Sequence, residues 1–315
     1  MRMLIVGAGG AGAYFAARWA AAGRNVTLLA RGSQLAAIRA NGVTIHAPAG
    51  TATAKVDVTD SPAAAAKADA VLFAVKTWQL ADAVAPIVPH LGRDAMVFGV
   101  LNGVDCANQL AATFGRGRTL GGALRIISYV ESPGVIRHVG VDPTIVVGEL
   151  DGGVSPRVQR LHDTFTLEPA VKIEASPNIL LDVWRKFLFF APVSGVGSVT
   201  RSTIGAYRAH PASRAMLRAA IAEVFALGRA RGIPFADTAV DDALAFIDRS
   251  PPDGTTSTHR DFEAGRRTEI DALSGAVSRM GRESGVPTPT HDFLYAALAP
   301  QEARARAVPT ARTAP

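Results

Sequence analysis

Cysteine is almost absent from this chain of 315 residues, in which Cys106 is the single one. One thiol excludes an intrachain disulfide and every cysteine-rich zinc or iron–sulfur site. Such sparse use of cysteine suits a reducing compartment, and we expect a cytoplasmic protein. We assign no metal ligand in this sequence.

Long apolar runs are also missing. A membrane-spanning helix needs about 18 or more apolar residues, whereas the strongest candidate, 187–199, is shorter and contains Pro192 and Ser194. The N-terminal stretch has glycines at the spacing of a nucleotide-binding loop, and Arg18 interrupts its apolar residues, so it does not have the pattern of a signal peptide. We predict no membrane association.

Runs of five or more basic residues are missing too, although Lys and Arg number 33 against 27 Asp and Glu, a net charge of +6. Dispersed arginines without an aromatic stacking motif are not typical of a nucleic-acid-binding protein. We therefore predict no nucleic-acid partner, and a phosphorylated small molecule would use the positive charge equally well.

The first half of the chain has the pattern of an α/β fold. Four apolar runs have the character of buried strands, at 3–6, 25–30, 70–75 and 95–100. Alanine-rich helical stretches separate them, and this alternation implies a parallel sheet with helices on its faces. The segment 119–149 looks different and predicts an antiparallel or mixed edge to that sheet.

Strand signals stop after about residue 172, and helical patterns follow. In 212–232, apolar residues recur every three or four positions, as one face of a helix requires. Further helices are predicted at 178–197, 238–248, 258–283 and 288–299. We therefore predict an all-α domain at 174–299 and a flexible tail at 300–315.

A glycine-rich loop joins the first strand to the first helix. Gly7, Gly9 and Gly12 have G-x-G-x-x-G spacing in the strand–loop–helix context that dinucleotide binding requires. The first glycine permits a tight turn, the second lets the backbone approach a pyrophosphate, and the third lets the helix pack on the strand. Free N–H groups at the helix N-terminus favour the anion. The alternative is a glycine-rich turn without a ligand.

Arg31 follows the second strand, where an NAD site usually has an acidic residue for the ribose 2′-hydroxyl. A guanidinium suits a 2′-phosphate, so we predict NADP(H) as the cofactor. The alternative for Arg31 is an ordinary surface cation. We predict that residues 1–173 form the Rossmann-type domain that binds this cofactor. Lys76 and Asn102 follow two later strands, at the edge where such sheets bind ligands. We include both in the cofactor site, with a solvated loop residue as the alternative for each.

Taken together, these motifs resemble those of the ketopantoate reductases (2-dehydropantoate 2-reductases). The resemblance covers the chain to about residue 299 and includes the glycine loop together with Arg31, VKTWQ at 75–79, Asn102-Gly103, Trp184-Arg185-Lys186 and Thr268-Glu269-Ile270-Asp271. It implies a Rossmann domain followed by a helical substrate domain. It also implies the NADPH-dependent reduction of 2-dehydropantoate to (R)-pantoate, a step of pantothenate biosynthesis.

The resemblance further implies that Lys186 and Glu269 are catalytic. Lys186 would hydrogen-bond the ketone oxygen and donate a proton as hydride arrives, a role that suits an ammonium beside a developing alkoxide. Glu269 would orient Lys186 or bind the substrate hydroxyl. Asn102 and Lys76 would lie near nicotinamide and substrate, and Ser257 would bind substrate. The alternatives are a solvated helical lysine for Lys186 and helix-start or capping roles for Glu269 and Ser257.

Two positions depart from the family pattern. Members commonly have asparagine one and two helical turns after the catalytic lysine, on the same helix face, whereas this chain has Phe190 and Ser194. We include both in the substrate site and expect fewer hydrogen bonds and more apolar contact there. A less polar ketone or imine is therefore the alternative substrate, and a non-enzymatic NADP(H)-binding sensor is a second alternative. The oligomeric state stays open, with a homodimer among the alternatives.

Overall fold

The computed structural model describes residues 1–307, and the chain divides into two compact units. Of the described residues, the first unit contains Met1–Leu101 and Asp105–Asp182, and the second contains Asn102–Val104 and 183–307. The glycine-rich loop thus belongs to the first unit and Asn102 to the second. Within 1–307, no helix combines the length and the apolar character that a membrane span requires.

Strands and short helices alternate through the first unit. Its strands are β1 (Arg2–Val6), β2 (Asn25–Leu29), β3 (Val43–Ala47), β4 (Gly50–Ala54), β5 (Asp57–Thr59), β6 (Ala70–Phe73), β7 (Met96–Gly99), β8 (Leu120–Arg125), β9 (Ser128–Ser132), β10 (Val135–His138), β11 (Thr144–Glu149) and β12 (Lys172–Ala175). Its helices are α1 (Gly10–Ala21), α2 (Gly32–Asn41), α3 (Leu80–Val84), α4 (Cys106–Phe114) and α5 (Pro156–Phe165).

A five-stranded parallel sheet has the order β5-β2-β1-β6-β7. Alternate residues of β1 pack in two different apolar clusters, because successive side chains of a strand point to opposite faces of the sheet. Met3 and Ile5 lie in one apolar cluster, while Leu4 and Val6 lie in another. Both faces of β1, β6 and β7 are covered, which explains why these strands are continuous apolar runs in the sequence.

The segment 119–149 is divided between two further sheets, so the prediction of one edge to the main sheet is wrong. β8 and β11 pair antiparallel and β12 joins β11 in parallel, while β9 and β10 form a hairpin that adds to β3 and β4. A single parallel bridge links Val97 of β7 to Thr119. Gly134, with a φ of +78°, lies at the turn between β9 and β10 and allows these two strands to form their hairpin.

Helices follow the last strand, as the apolar periodicity predicted. They are α6 (Ile179–Thr200), α7 (Ile204–Ala209), α8 (Pro211–Ala230), α9 (Ala239–Arg249), α10 (Ser257–Glu263), α11 (Ser274–Ser284) and α12 (Pro289–Ala307). The predicted fold class, a Rossmann-type α/β region followed by an all-α region, is confirmed.

The single helix predicted over 258–283 is wrong. α10 ends at Glu263, and Gly265 adopts a φ of +63°, a left-handed conformation that stops a helix. A short 3₁₀ turn, Ile270–Ala272, precedes α11. Glu269 therefore lies at the start of a turn between helices and not on a helix face.

The flexible tail predicted for 300–315 is also wrong in part. Residues 300–307 continue α12, and 308–315 lie outside the described residues. Glu302 explains the continuation, because its carboxylate is buried and accepts two hydrogen bonds from Thr268. A buried carboxylate with such partners holds its helix in place.

Candidate functional site

The glycine-rich loop lies where β1 ends and α1 begins. Gly7 has a φ of +111°, and a Cβ atom there would lie 2.7 Å from the carbonyl oxygen of Ala74, while a Cβ on Gly12 would collide with the carbonyl oxygen of Gly7. These two glycines therefore allow the loop to approach the chain that leaves β6. A Cβ on Gly9 would meet no atom within 4 Å, so the backbone there borders open space.

The N-terminus of α1 is open to an anion. Gly9 is the N-cap residue and supplies no side-chain hydrogen bond, and the first turn contains no acidic residue. The first N–H groups of a helix lack partners within the helix and carry the positive end of its dipole. Together with the open space at Gly9, this arrangement fits the pyrophosphate of a dinucleotide.

Arg31 and Lys76 lie beyond the carboxyl ends of β2 and β6 in the same unit. Arg31 is the exposed N-cap residue of α2, and among residues 1–307 no acidic side chain pairs with it. Lys76 begins a 3₁₀ turn, and its ammonium lies 5.7 Å from the ring centroid of Trp78. Both cations therefore lie at the sheet edge where the sequence places them.

Lys186, Asn102 and Glu269 form a hydrogen-bonded relay in the second unit. The Lys186 Nζ donates to Asn102 Oδ1 at 3.0 Å, and Asn102 Nδ2 donates to Glu269 Oε2 at 2.8 Å. The charges of its two neighbours decide how the amide is oriented, because its oxygen can only accept and its NH₂ can only donate. Asn102 thus links the Lys186 cation to the Glu269 anion through the oxygen and the nitrogen of its amide.

Gly103 allows the Asn102 loop to approach the turn that carries Glu269. Its φ is +85°, and a Cβ there would lie 2.8 Å from the carbonyl oxygen of Ala272. A larger residue would be strained in this backbone conformation and would press on the turn. The Asn-Gly pair is therefore a sequence signal for this close approach.

The Lys186 ammonium has a strongly altered acidity. Loss of surrounding water lowers the pKa of Lys186 to about 8, and the negative charge of Glu269 opposes this change. An acid is most effective when its pKa lies near the working pH. A pKa of about 8 fits a group that gives up and regains a proton near neutrality.

Phe190 lies one helical turn after Lys186 on α6, and its ring faces the Lys186 ammonium. The Lys186 Nζ is 5.4 Å from the centroid of its ring, a cation–π contact. Ser194, another turn along α6, is fully buried, and its hydroxyl has no hydrogen-bond partner among the described residues. Phe190 thus joins the Lys186 group, whereas Ser194 lies deeper in the helical unit.

Ser257 is the first residue of α10. The capping role weighed for it belongs to its neighbour, because the Thr256 hydroxyl accepts the hydrogen bond from the backbone N–H of His259. A capping role therefore does not account for Ser257, and substrate binding stays a prediction.

Cys106 packs against an apolar cluster of the first unit. Desolvation raises the pKa of Cys106 to about 12, although a backbone hydrogen bond from Leu101 opposes this effect. Only the thiolate is strongly nucleophilic. Cys106 is therefore a packing residue at the start of α4.

Glu302 is the residue that sequence reasoning missed. It supports the Glu269 turn from α12 through the backbone N–H and hydroxyl of Thr268, each 2.7 Å from its Oε2. The sequence offered one clue to this role, because Glu302 is an acidic residue in the segment that was predicted to be a flexible tail from its Ala, Arg and Pro content.

Comparison with known proteins links both units to one family. Two family models match, ketopantoate reductase PanE/ApbA over residues 3–152 and ketopantoate reductase PanE/ApbA C terminal over residues 178–302. A 2-dehydropantoate 2-reductase of Mesorhizobium japonicum is 31% identical over 320 residues, covering 94% of this chain and 96% of its own. The uncharacterized oxidoreductase YkpB of Bacillus subtilis is 28% identical over 305 residues, covering 96% and 99%.

Among solved structures, a PanE/ApbA family ketopantoate reductase from Ralstonia eutropha JMP134 is similar throughout. The TM-score is 0.88 at 28% identity, and the match covers 97% of this chain and 100% of that one. The similarity therefore includes both the α/β and the helical regions.

Proposed function

The chain belongs to the ketopantoate reductase family of oxidoreductases, and we propose that it reduces the ketone of a 2-oxo acid with NADPH. The first candidate substrate is 2-dehydropantoate, which would give (R)-pantoate for pantothenate biosynthesis. One observation carries the proposal: the relay that links the Lys186 ammonium through Asn102 to the Glu269 carboxylate.

The glycine loop and Arg31 would hold the cofactor. The open backbone at Gly9 and the uncapped start of α1 suit the pyrophosphate. Arg31 suits a 2′-phosphate, which favours NADPH over NADH. We assign Lys76 and Asn102 to the nicotinamide end. When bound, NADPH supplies the hydride that adds to the carbonyl carbon.

The chain's own residues would manage the charge and the proton. Lys186 donates a hydrogen bond to the ketone oxygen and stabilises the negative charge that develops there. The proton then moves from Nζ to this oxygen, which leaves a neutral amine that takes a proton from solvent. Asn102 keeps Nζ oriented, and Glu269 favours the charged ammonium that begins the next cycle.

Phe190 favours a second substrate class, a less polar ketone or imine. The group that approaches Lys186 also approaches the Phe190 ring, 5.4 Å from the ammonium. A ring offers apolar contact where an amide would offer hydrogen bonds, and a polar substituent that loses a partner is strongly disfavoured. A non-enzymatic sensor would have no use for an ammonium of lowered pKa in this relay.

The proposal is tested by following the absorbance of NADPH with purified protein and ketopantoate, with NADH in parallel. We expect oxidation of NADPH and much slower oxidation of NADH. A panel of 2-oxo acids with branched or aromatic groups, and a cyclic imine, separates the two substrate classes. Tight binding of NADPH without turnover of any panel member would contradict the enzymatic proposal and support a sensor.

A further inference from the structure

One end of α12 anchors the turn that carries Glu269. The Glu302 side chain is only 3% exposed, and its Oε2 accepts two hydrogen bonds from Thr268, one from the backbone N–H and one from the hydroxyl, both 2.7 Å. Thr268 directly precedes Glu269 in the chain. The Glu302 carboxylate therefore holds the backbone directly before Glu269 in place.

The same helix also holds the other side of this turn. The Tyr295 hydroxyl donates to Asp271 Oδ1 at 2.9 Å, and the Arg306 guanidinium donates to Asp271 as well. Arg306 Nε also donates to Glu302 Oε1 at 2.8 Å. α12 thus forms hydrogen bonds with the turn on both sides of Glu269, at Thr268 and at Asp271.

Burial of a carboxylate is costly unless hydrogen bonds and opposite charges compensate for the lost water. Glu302 meets this condition with bonds to Thr268 on one oxygen and Arg306 on the other. The bonded groups continue beyond it, because Glu269 accepts from Asn102, and Asn102 accepts from Lys186. A rigid connection therefore runs from α12 to the ammonium.

We propose that Glu302 is a positioning residue of the active site: by holding Thr268, it keeps Glu269 and Asn102 in the arrangement that orients Lys186. The inference rests on the catalytic role proposed for Lys186. It gives a function to the segment whose composition resembles a loose tail.

The variant Glu302→Gln tests this role, because it removes the charge and keeps the shape. Glu223→Gln is a matched control. Glu223 is a buried carboxylate on α8, 9% exposed, and it too accepts two hydrogen bonds, in its case both from backbone N–H groups, of Thr290 and His291 at 2.7 and 2.9 Å. Both variants lose a comparable buried charge that holds α12, because Thr290 and His291 lie at the start of that helix, but only Glu302 contacts the Glu269 turn.

Kinetics should separate the two variants at a temperature where both are folded. We expect Glu302→Gln to lower kcat about 10–100-fold, the effect of a displaced catalytic group, with the KM for NADPH unchanged. Its kcat profile against pH should also shift. Glu223→Gln should keep the wild-type kcat and profile. Equal losses of kcat in both variants, or a wild-type kcat in Glu302→Gln, would overturn the proposal.

A second measurement needs no turnover. The chain has only five lysines, so carbon-13 labelling of lysine allows the Lys186 titration to be followed by NMR. We expect a lower Lys186 pKa in Glu302→Gln, because the carboxylate that raises it is no longer held in place, and no change in Glu223→Gln. An unchanged titration in Glu302→Gln contradicts the positioning role, whereas an enzyme inactive on every ketone contradicts only the proposed function.

Tyr295→Phe provides the test if Glu302→Gln does not fold. It removes one hydroxyl at the other side of the turn and keeps the ring that packs beside Gly275. We expect a smaller loss of kcat with the same direction of change in the Lys186 titration. A wild-type kcat together with a wild-type Lys186 titration would contradict the proposal that α12 positions the Glu269 turn.

Discussion

Lys186 donates a hydrogen bond to Asn102, a residue 84 positions earlier in the chain, at 3.0 Å. The neutral amide of Asn102 lies between the Lys186 ammonium and the Glu269 carboxylate and forms a hydrogen bond with each. The amide thus fixes the ammonium relative to the carboxylate whose negative charge raises the pKa of Lys186.

Removal of the ammonium should abolish most of the activity. We expect Lys186→Ala to lower kcat by roughly 10²–10⁴-fold, the usual contribution of an acid catalyst, while NADPH binds nearly as before. Lys172→Ala is the control, since Lys172 pairs with Glu174 on the exposed surface of β12. Steady-state rates and a fluorescence titration of NADPH provide the comparison. An equal loss of NADPH affinity would count against the assigned role.

The rate of ketone reduction should depend on the protonation of Lys186. Because its pKa is lowered to about 8, the ammonium form predominates below that pH and disappears above it. We expect kcat/KM for reduction to be level at lower pH and to fall through about pH 8. Alcohol oxidation should show the mirror image, since it needs the neutral amine. A break near 10.5, the ordinary lysine value, would contradict the burial effect.

Selectivity between the cofactors should reside in Arg31. Loss of a charge-assisted bond costs about 1.5–3 kcal/mol, so Arg31→Ala should raise the Kd of NADPH about 10–100-fold and alter that of NADH little. Arg39→Ala is the matched control, because Arg39 lies in the last turn of the same helix, α2, and its guanidinium is 4.0 Å from the Asp60 carboxylate. Calorimetric titration with both nucleotides measures the effect. Equal weakening of the two would refute a 2′-phosphate contact.

Substitution of two glycines of the loop should affect different properties, the stability of the fold at Gly12 and the binding of NADPH at Gly9. A methyl group at Gly12 collides with the loop backbone, so Gly12→Ala should destabilise the fold by about 1–3 kcal/mol. Gly9→Ala meets no neighbour within 4 Å, and its φ of −75° suits alanine, so the fold should survive. Its methyl group would instead obstruct the approach of a pyrophosphate. Thermal unfolding and NADPH titration of each variant separate these outcomes, and full NADPH affinity in Gly9→Ala would speak against the site.

Phe190 should control the polarity of the preferred substrate. We expect Phe190→Asn to raise kcat/KM for ketopantoate at least about 10-fold relative to a 2-oxo acid with an aromatic group, because an amide replaces the ring beside the ammonium. Phe293→Asn on the exposed face of α12 is the control for loss of an aromatic ring. An unchanged preference in Phe190→Asn would place the substrate elsewhere.

Local features of the chain were predictable because short-range physics decides them. The glycine spacing predicted a loop whose first and third glycines are sterically required, and Gly7 and Gly12 have those properties in the structure. The apolar runs predicted the parallel sheet, since both faces of β1 and β6 are buried. The helix predicted over 258–283 failed, because the positive φ of Gly265 outweighed the apolar pattern around it.

By itself, the sequence determined the fold class, the glycine loop and the kinds of residue available for chemistry, because each depends on neighbours within a few turns or strands. Only the tertiary structure decided that Asn102 lies between Lys186 and Glu269, residues 84 and 167 positions away from it. It also decided that the Phe190 ring faces the ammonium and that Glu302 holds the Glu269 turn. These contacts arise from the packing of distant segments, which no local pattern encodes.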